Sequence, residues 1–180
     1  MKTLRTILAL VVLMPLLSGC DKFKEERFST TIPITFEIDK LDTDPLVVDL
    51  DGTITALIND ELNKYKEEIK RYELVSVTYK VWEYYGTAGV VFDGSIGFGN
   101  VNMSAPGVSA QFNDIDLQTS FDNPNQTQFP FNSQDVDKIE QYFLDTNGMR
   151  LWLDGDVSDV PVHFVLAITV NVDAIAEVED

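Results

Sequence analysis

The last third of the chain contains a long run in which apolar and polar side chains alternate strictly. The apolar positions of this run are Val160, Val162, Phe164, Leu166, Ile168, Val170 and Val172. A period of two residues places successive side chains on opposite faces of a β-strand, so one face of this strand is apolar. Strands buried in parallel sheets read instead as continuous apolar runs. The alternation therefore predicts an antiparallel sheet with one buried face.

Shorter stretches of the chain repeat this alternation. They occupy residues 32–38, 75–81 and 90–98. Gly94 and Gly97 lie inside the last of them, which predicts a bulge or a close approach of the backbone. The apolar phase also changes between Phe112 and Ile115, as an inserted residue in a bulged strand would produce. These patterns predict a chain built mainly from strands.

Two segments have the spacing of helices instead. Residues 62–72 place apolar side chains three or four positions apart, after Asn59 and Asp60 as candidate N-caps. A second helix is predicted from about Ser133 to Asn147, where an Asn-Gly pair provides a stop signal. Together with the strands, these segments predict a mainly β fold, an antiparallel β-sandwich with two short helices.

Composition limits the function more than it defines it. The 180 residues fit one domain, and 44% hydrophobic residues suffice for a core. A formal net charge of −17 excludes nucleic acid as a partner held by bulk charge, because the interaction would be repulsive. One cysteine and one histidine exclude disulfides, thiolate zinc sites and most catalytic triads. We expect no cofactor.

The N-terminus has the layout of a secretory signal. Lys2 and Arg5 precede an apolar run over residues 7–17, which is too short to cross a bilayer as a helix. Leu17, Ser18, Gly19 and Cys20 follow directly and resemble the lipobox of bacterial lipoproteins. The resemblance implies cleavage before Cys20 and acylation of its thiol, which would make membrane lipid a partner of the chain. An ordinary signal peptide, with an incidental Cys20, is the alternative.

The lipobox divides the chain into three parts. Residues 1–19 are the expected signal peptide, residues 20–27 the lipidated cysteine with a charged tether, and residues 28–180 a single sandwich domain. Asp21 directly after the cysteine resembles an inner-membrane retention signal, whereas lysine and acids in this position resemble a surface-display signal. The expected location is the cell envelope, at the outer membrane or cell surface in preference to the inner membrane.

One motif argues for an enzyme. Asp49, Asp51, Gly52 and Thr53 follow an apolar run and resemble the first motif of haloacid-dehalogenase-type phosphatases. The resemblance implies Asp49 as nucleophile and Asp51 as acid/base at a magnesium ion. That mechanism needs a doubly wound parallel sheet with several crossover helices, and the sequence predicts only two helices. A plain acidic turn is the competing interpretation.

Two weaker patterns concern ligands. Asp154, Asp156 and Asp159 lie close together and are candidate oxygen ligands for calcium, although acids in turns are expected in so acidic a chain. A second candidate is an aromatic platform for sugar rings. Its members are Trp82, Tyr84, Tyr85 and Trp152. Cross-strand packing is the alternative role of these aromatic side chains.

Residues 59–85 lead from a Lys-Tyr-Lys-rich amphipathic segment into a Val/Thr/Tyr strand. Together with the lipobox and the alternating final strand, this unit resembles small Bacteroidetes-type lipoproteins of unknown function. The resemblance implies no site residues. The expected function is a non-enzymatic surface or periplasmic binding or interaction module, with a glycan or an envelope protein as partner. A magnesium-dependent phosphatase is the alternative.

Overall fold

A computed structural model describes residues 23–179 of the chain. Strands dominate this part of the chain, and the longest of them have 18 residues each. In chain order the elements are β1 (Phe23–Lys40), β2 (Val47–Thr55), a 3₁₀ turn (Ala56–Ile58), α1 (Asp60–Lys64), β3 (Ile69–Gly86), β4 (Val91–Gly99), β5 (Val108–Asp116), α2 (Leu117–Asp122), β6 (Thr127–Gln128), α3 (Ser133–Thr146), β7 (Gly148–Val157) and β8 (Val162–Glu179).

The strands form two four-stranded sheets. The long sheet has the order β1-β8-β3-β6, and the short sheet has the order β2-β7-β4-β5. Every strand pair in residues 23–179 is antiparallel. The predicted class, a mainly β antiparallel sandwich, is confirmed. The described helices do not combine the length and the apolar composition that crossing a bilayer requires.

The core consists of the inward side chains of both sheets. In β8 the even-numbered positions from Val162 to Val172 are buried, as the alternation predicted. Phe92 of the short sheet contacts Phe112 and Phe164, with ring centroids 5.4 and 5.8 Å apart. Burial of such aromatic side chains is the main stabilising contribution in a fold of this kind. β8, an inner strand of the long sheet, therefore contributes one continuous row of side chains to the core.

The predicted bulges and the second helix are confirmed. The pairing of β4 with β5 shifts register between Phe92 and Gly94, and Asp114 has a φ of 47° at this point. A Cβ on Gly94 would lie 2.2 Å from the backbone oxygen of Asp154, so the strands approach too closely for any side chain. α3 starts after the N-cap Asn132, whose side chain accepts from the N–H of Asp135.

The first predicted helix is largely wrong. α1 ends at Lys64, and Ile69 and Tyr72 belong to β3. Tyr72 is buried beside Phe143 of α3, with ring centroids 5.5 Å apart, and its hydroxyl donates to Asn147 Oδ1. Pairing of this segment with β8 overrides the helical spacing, since tertiary contacts outweigh a weak local preference. α2, which was not predicted, is a further short helix.

Residues 23–27, which belong to the expected charged tether, form the start of β1. Phe23 lies opposite Glu179 and Arg27 opposite Ile175 in the pairing with β8. The charged side chains here are matched across strands: an Arg27 guanidinium nitrogen lies 2.6 Å from Asp173 Oδ2. In the sequence alone, a charge-rich segment is typical of a linker. In this chain the charged side chains are paired on the face of the long sheet.

Candidate functional site

A cleft opens at the end of the long sheet where β1 and β3 end and β8 begins. It encloses about 360 Å³ and is lined by Asp39, Lys40, Leu41, Tyr85, Gly86, Thr87, Pro161, Val162 and His163. The three strands present one cross-strand row to it, in which His163 of β8 lies between Asp39 of β1 and Tyr85 of β3. The site therefore stands on three paired strands, which hold side chains more rigidly than loops do.

Strand alternation decides which side chains reach this cleft. Tyr84 turns inward, is only 7% exposed, and its hydroxyl donates to the carbonyl oxygen of Thr87. Tyr85, the next residue, turns outward and is 69% exposed. On β8 the neighbours Val162 and Phe164 are buried in the core, which leaves His163 on the outer face. The period of two residues thus places an exposed phenol ring beside an imidazole.

His163 stands at the centre of an acidic group. Its Nδ1 lies 3.9 Å from Asp39 Oδ1, and its Nε2 lies 3.9 Å from Glu83 Oε2. The ring centroids of Tyr85 and His163 are 5.7 Å apart. Glu37 occupies the adjacent row of the same face, opposite Val165. The outer end of the long sheet thus carries an aromatic ring, an imidazole and three carboxylates.

Basic side chains do not neutralise these acids. In the part of the chain that the structure covers, no lysine or arginine nitrogen lies within 4.0 Å of the carboxylates of Glu37, Asp39 or Glu83. Lys40 lines the cleft, but its Nζ donates to the carbonyl oxygen of Val47 at 2.6 Å. The lining of the cleft thus holds one carboxylate, that of Asp39, and one ammonium group, that of Lys40, while Glu37 and Glu83 lie outside the lining on the same face of the sheet.

The four aromatic residues of the predicted platform do not come together. Trp82 and Tyr85 share the outer face of the long sheet, whereas Tyr84 points into the core. Trp152 lies on β7 of the short sheet, beneath the Arg150 guanidinium at 5.2 Å. The register shift between Val81 and Glu83 makes Trp82 a bulge residue, which is why adjacent positions of β3 depart from simple alternation.

The phosphatase motif has the wrong surroundings for its chemistry. Asp49 and Asp51 lie within β2, an antiparallel edge strand, and not at the carboxyl end of a parallel strand. Arg150 bonds Asp51, with its Nε 3.0 Å from Oδ2. Asp49 lies opposite Asp154, and burial together with this neighbouring carboxylate raises the pKa of Asp154. Asp51 is thus held in a cross-strand ion pair with Arg150, whereas Asp49 and Asp154 face each other as like charges.

The calcium hypothesis also lacks a site. Asp154 and Asp156 both lie in β7. They lie opposite Asp49 and Val47 of β2, and Asp159 follows in the loop after β7. Asp159 Oδ1 accepts from the N–H of Val160, as turn acids often do. Between Phe23 and Glu179, no group of three or more His, Cys, Asp or Glu side chains is arranged to hold a metal ion.

Asp39 and His163 of the cleft, and Glu83 beside it, were missed as a group in the sequence. Tyr85 was predicted as a platform residue, but nothing connected it to Asp39, His163 or Glu83 because the three strands pair over long sequence distances. The available signal was the phase of alternation, which places His163 on the polar face of β8. The lipobox residues Leu17, Ser18, Gly19 and Cys20 lie outside the described residues.

No known protein family matches the chain, and no curated protein matches it. Among solved structures, it is similar to a chain of Desmodium yellow mottle tymovirus, with a TM-score of 0.42, 12% identity, and 88% of this chain and 84% of the other covered. A chain of Turnip Yellow Mosaic Virus is similar with a TM-score of 0.36, 9% identity, and coverage of 86% and 97%. At TM-scores this low, the likeness carries no argument about function.

Proposed function

We propose that this chain is an exported, lipid-anchored bacterial lipoprotein whose sandwich domain is a non-enzymatic binding module at the cell surface or in the periplasm. Its ligand site is the cleft between Asp39 and Tyr85. The observation that carries this proposal is the position of the cleft relative to Phe23. β1 begins two positions after Asp21, close to the lipobox cysteine, and ends at Lys40 in the cleft wall.

The length of β1 separates the cleft from the expected anchor. At about 3.3 Å per residue, an 18-residue strand extends about 56 Å from Phe23 to Lys40. Glu179 lies opposite Phe23, so β8 also ends on the side of the anchor. The loops around the cleft, residues 41–46 and 158–161, are at the opposite end. A domain anchored through Cys20 would hold the cleft far from the lipid surface.

The content of the cleft suits binding. Its volume lies near the lower end of the roughly 300–1,000 Å³ typical of small-molecule sites. Tyr85 exposes most of its ring on a strand that is fixed by pairing with β8, which offers a flat apolar surface at little entropic cost. These features support recognition of a ring-shaped ligand such as a sugar.

Labelling tests the anchor. In a bacterial host with lipoprotein processing, radiolabelled palmitate should enter the wild-type chain and be absent from Cys20→Ser. Ser18→Thr, a change within the lipobox that retains the thiol, serves as the processing control. Label that persists in Cys20→Ser would overturn the anchor.

A glycan array with the full-length protein in nonionic detergent tests the binding role. The expected result is a set of bound glycans whose signal is lost in Tyr85→Ala and retained in Trp152→Ala, since Trp152 lies on the other sheet. Circular dichroism of both variants checks the fold. Binding that disappears in Trp152→Ala and persists in Tyr85→Ala, or no binding at all, would overturn the cleft as the ligand site.

A further inference from the structure

We infer that one end of the sandwich is a membrane-contact surface, which rests on the bilayer that holds the expected anchor. This surface consists of the start of β1, residues 65–68 and the end of β8. The inference rests on the proposed lipid anchor at Cys20 and goes beyond it, because an anchored domain can also stand clear of the bilayer on a flexible tether. Two observations carry it: the short reach of the chain between Cys20 and β1, and the exposed aromatic side chains at this end.

The chain leaves little length between the anchor and the sheet. Phe23, the first residue of β1, is three positions after Cys20. A fully extended chain advances at most about 3.6 Å per residue, so the Cα atoms of these two residues are at most about 11 Å apart. Once the thiol of Cys20 is acylated, the start of β1 is therefore held close to the lipid headgroups.

The side chains at this end fit a lipid interface. Phe23 is 56% exposed, although phenylalanine is among the residues most often buried. It lines a groove of about 500 Å³ together with Tyr65 and Val178. Tyr65 is held in place by Phe28, because their rings stack with centroids 5.2 Å apart. Tyrosine has an apolar ring and a polar hydroxyl, which favours a position at the boundary between lipid and water.

The charges of the groove indicate the kind of lipid. Among the described residues that line it there are four acids and no lysine or arginine. The acids are Glu26, Glu68, Glu177 and Glu179. Lys24 lies 3.2 Å from Glu26 and Lys70 lies 3.3 Å from Glu177, but exposed ion pairs of this kind are weak. Anionic lipid would meet repulsion here, so the partner is a bilayer of zwitterionic phospholipid, whose headgroups carry an ammonium group as well as a phosphate.

Fluorescence quenching in vesicles tests the inference. The full-length acylated protein is reconstituted into phosphatidylcholine vesicles that contain some lipid with brominated acyl chains. Once Cys20 is acylated, Lys66→Cys, beside Tyr65, supplies the only free thiol for an environment-sensitive fluorophore. Glu37→Cys, on the far part of β1, is the matched control. Emission from position 66 should shift to the blue and be quenched by the brominated lipid, whereas emission from position 37 should be unchanged.

A second substitution isolates the aromatic contribution. Phe23→Ser in the Lys66→Cys background should remove the blue shift and the quenching, because a hydroxymethyl group has little apolar surface to bury. Phe23→Leu, which retains an apolar side chain, should preserve both signals. Circular dichroism of the variants checks the fold.

The remaining outcomes separate the inference from the anchor. Incorporation of palmitate without quenching at position 66 would keep the anchor and overturn the contact surface. Undiminished quenching in Phe23→Ser would overturn the role of the aromatic side chain. Replacing part of the lipid by phosphatidylglycerol should reduce the quenching, and an increase would overturn the choice of zwitterionic lipid. Absence of palmitate from the wild-type chain would overturn the anchor and the contact surface together.

Discussion

Phe23 lies opposite Glu179 in the long sheet, so the first and last described residues meet at the same end of the molecule. The opposite end of the same strand pair, where Lys40 faces Val162, forms the wall of the cleft. One strand pairing thus separates the side of the expected anchor from the side of the expected ligand. With this arrangement no long linker is needed to hold the cleft away from the expected anchor, because the length of the sheet itself separates the two.

The arginine network near Phe23 should make stability depend on pH. Hydrogen bonds from Arg71 lower the pKa of Glu25, and hydrogen bonds from Arg27 lower the pKa of Glu73. The pKa of Asp173 is also lowered, mainly by a hydrogen bond from Ser29 and to a smaller extent by one from Arg27. Carboxylates with a lowered folded-state pKa stabilise the fold above their ordinary pKa and lose this effect as the pH falls through the lowered value.

Arg27→Gln should therefore give a lower Tm than wild type at neutral pH, with a difference that closes below about pH 4. Thermal melts followed by circular dichroism over a pH series measure this difference. Lys66→Gln is the control, since the ion pair of Lys66 is with its exposed sequence neighbour Glu67, at 3.9 Å. A Tm difference that is constant at all pH values would show that the charges of the network do not contribute.

Gly94→Ala should destabilise the short sheet. The added Cβ would lie 2.2 Å from the backbone oxygen of Asp154 and 2.7 Å from the Cα of Gly155, and backbone atoms cannot move aside as a flexible side chain does. We expect a loss of about 3 kcal/mol in the free energy of unfolding, at the high end of overpacking changes. Urea unfolding measures it, with Ser95→Ala as control. An unchanged midpoint would contradict the close strand approach.

Asp154→Asn should stabilise the protein at neutral pH. Burial and the facing Asp49 raise the pKa of Asp154, so its charged form is unfavourable in the folded state above that pKa and the cost disappears in acid. The expected gain is about 0.3 kcal/mol, as for exposed cross-strand charges. Asp51→Asn, which removes a partner of Arg150, should change stability in the opposite direction. Parallel urea titrations compare the two variants, and a loss of stability in Asp154→Asn would be the contrary result.

Pro33 should protect the free edge of the long sheet. It lies in the middle of β1, an edge strand, where proline offers no N–H to an incoming strand. Pro33→Thr restores that donor and should increase self-association, which sedimentation velocity measures over a concentration series. Thr35→Ala, a change on the same face, should leave the sedimentation coefficient unchanged. A Pro33→Thr protein that sediments as wild type does would argue against edge protection.

The sequence predicted the fold where alternation coincided with burial, as in β8. The prediction was wrong between Ile69 and Tyr72. The helical spacing of the apolar residues there fits a bulged strand equally well, because each bulge shifts which positions of the strand point inward. Tyr85 was recognisable as an exposed aromatic residue. Its grouping with Asp39 and His163 could not be recognised in the sequence. The register that aligns these three strands depends on tertiary pairing between segments far apart in the chain and leaves no local signal.

The position of the cleft relative to the membrane is measurable directly, because Cys20 is the only cysteine of the chain. Once it is acylated, a cysteine introduced by Thr87→Cys or Lys24→Cys is the only free thiol and accepts a fluorophore. Energy transfer to an acceptor lipid in reconstituted vesicles should be strong from position 24 and much weaker from position 87, because β1 extends about 56 Å from Phe23 to the cleft wall at Lys40. Equally strong transfer from both positions would contradict a cleft that is held away from the membrane.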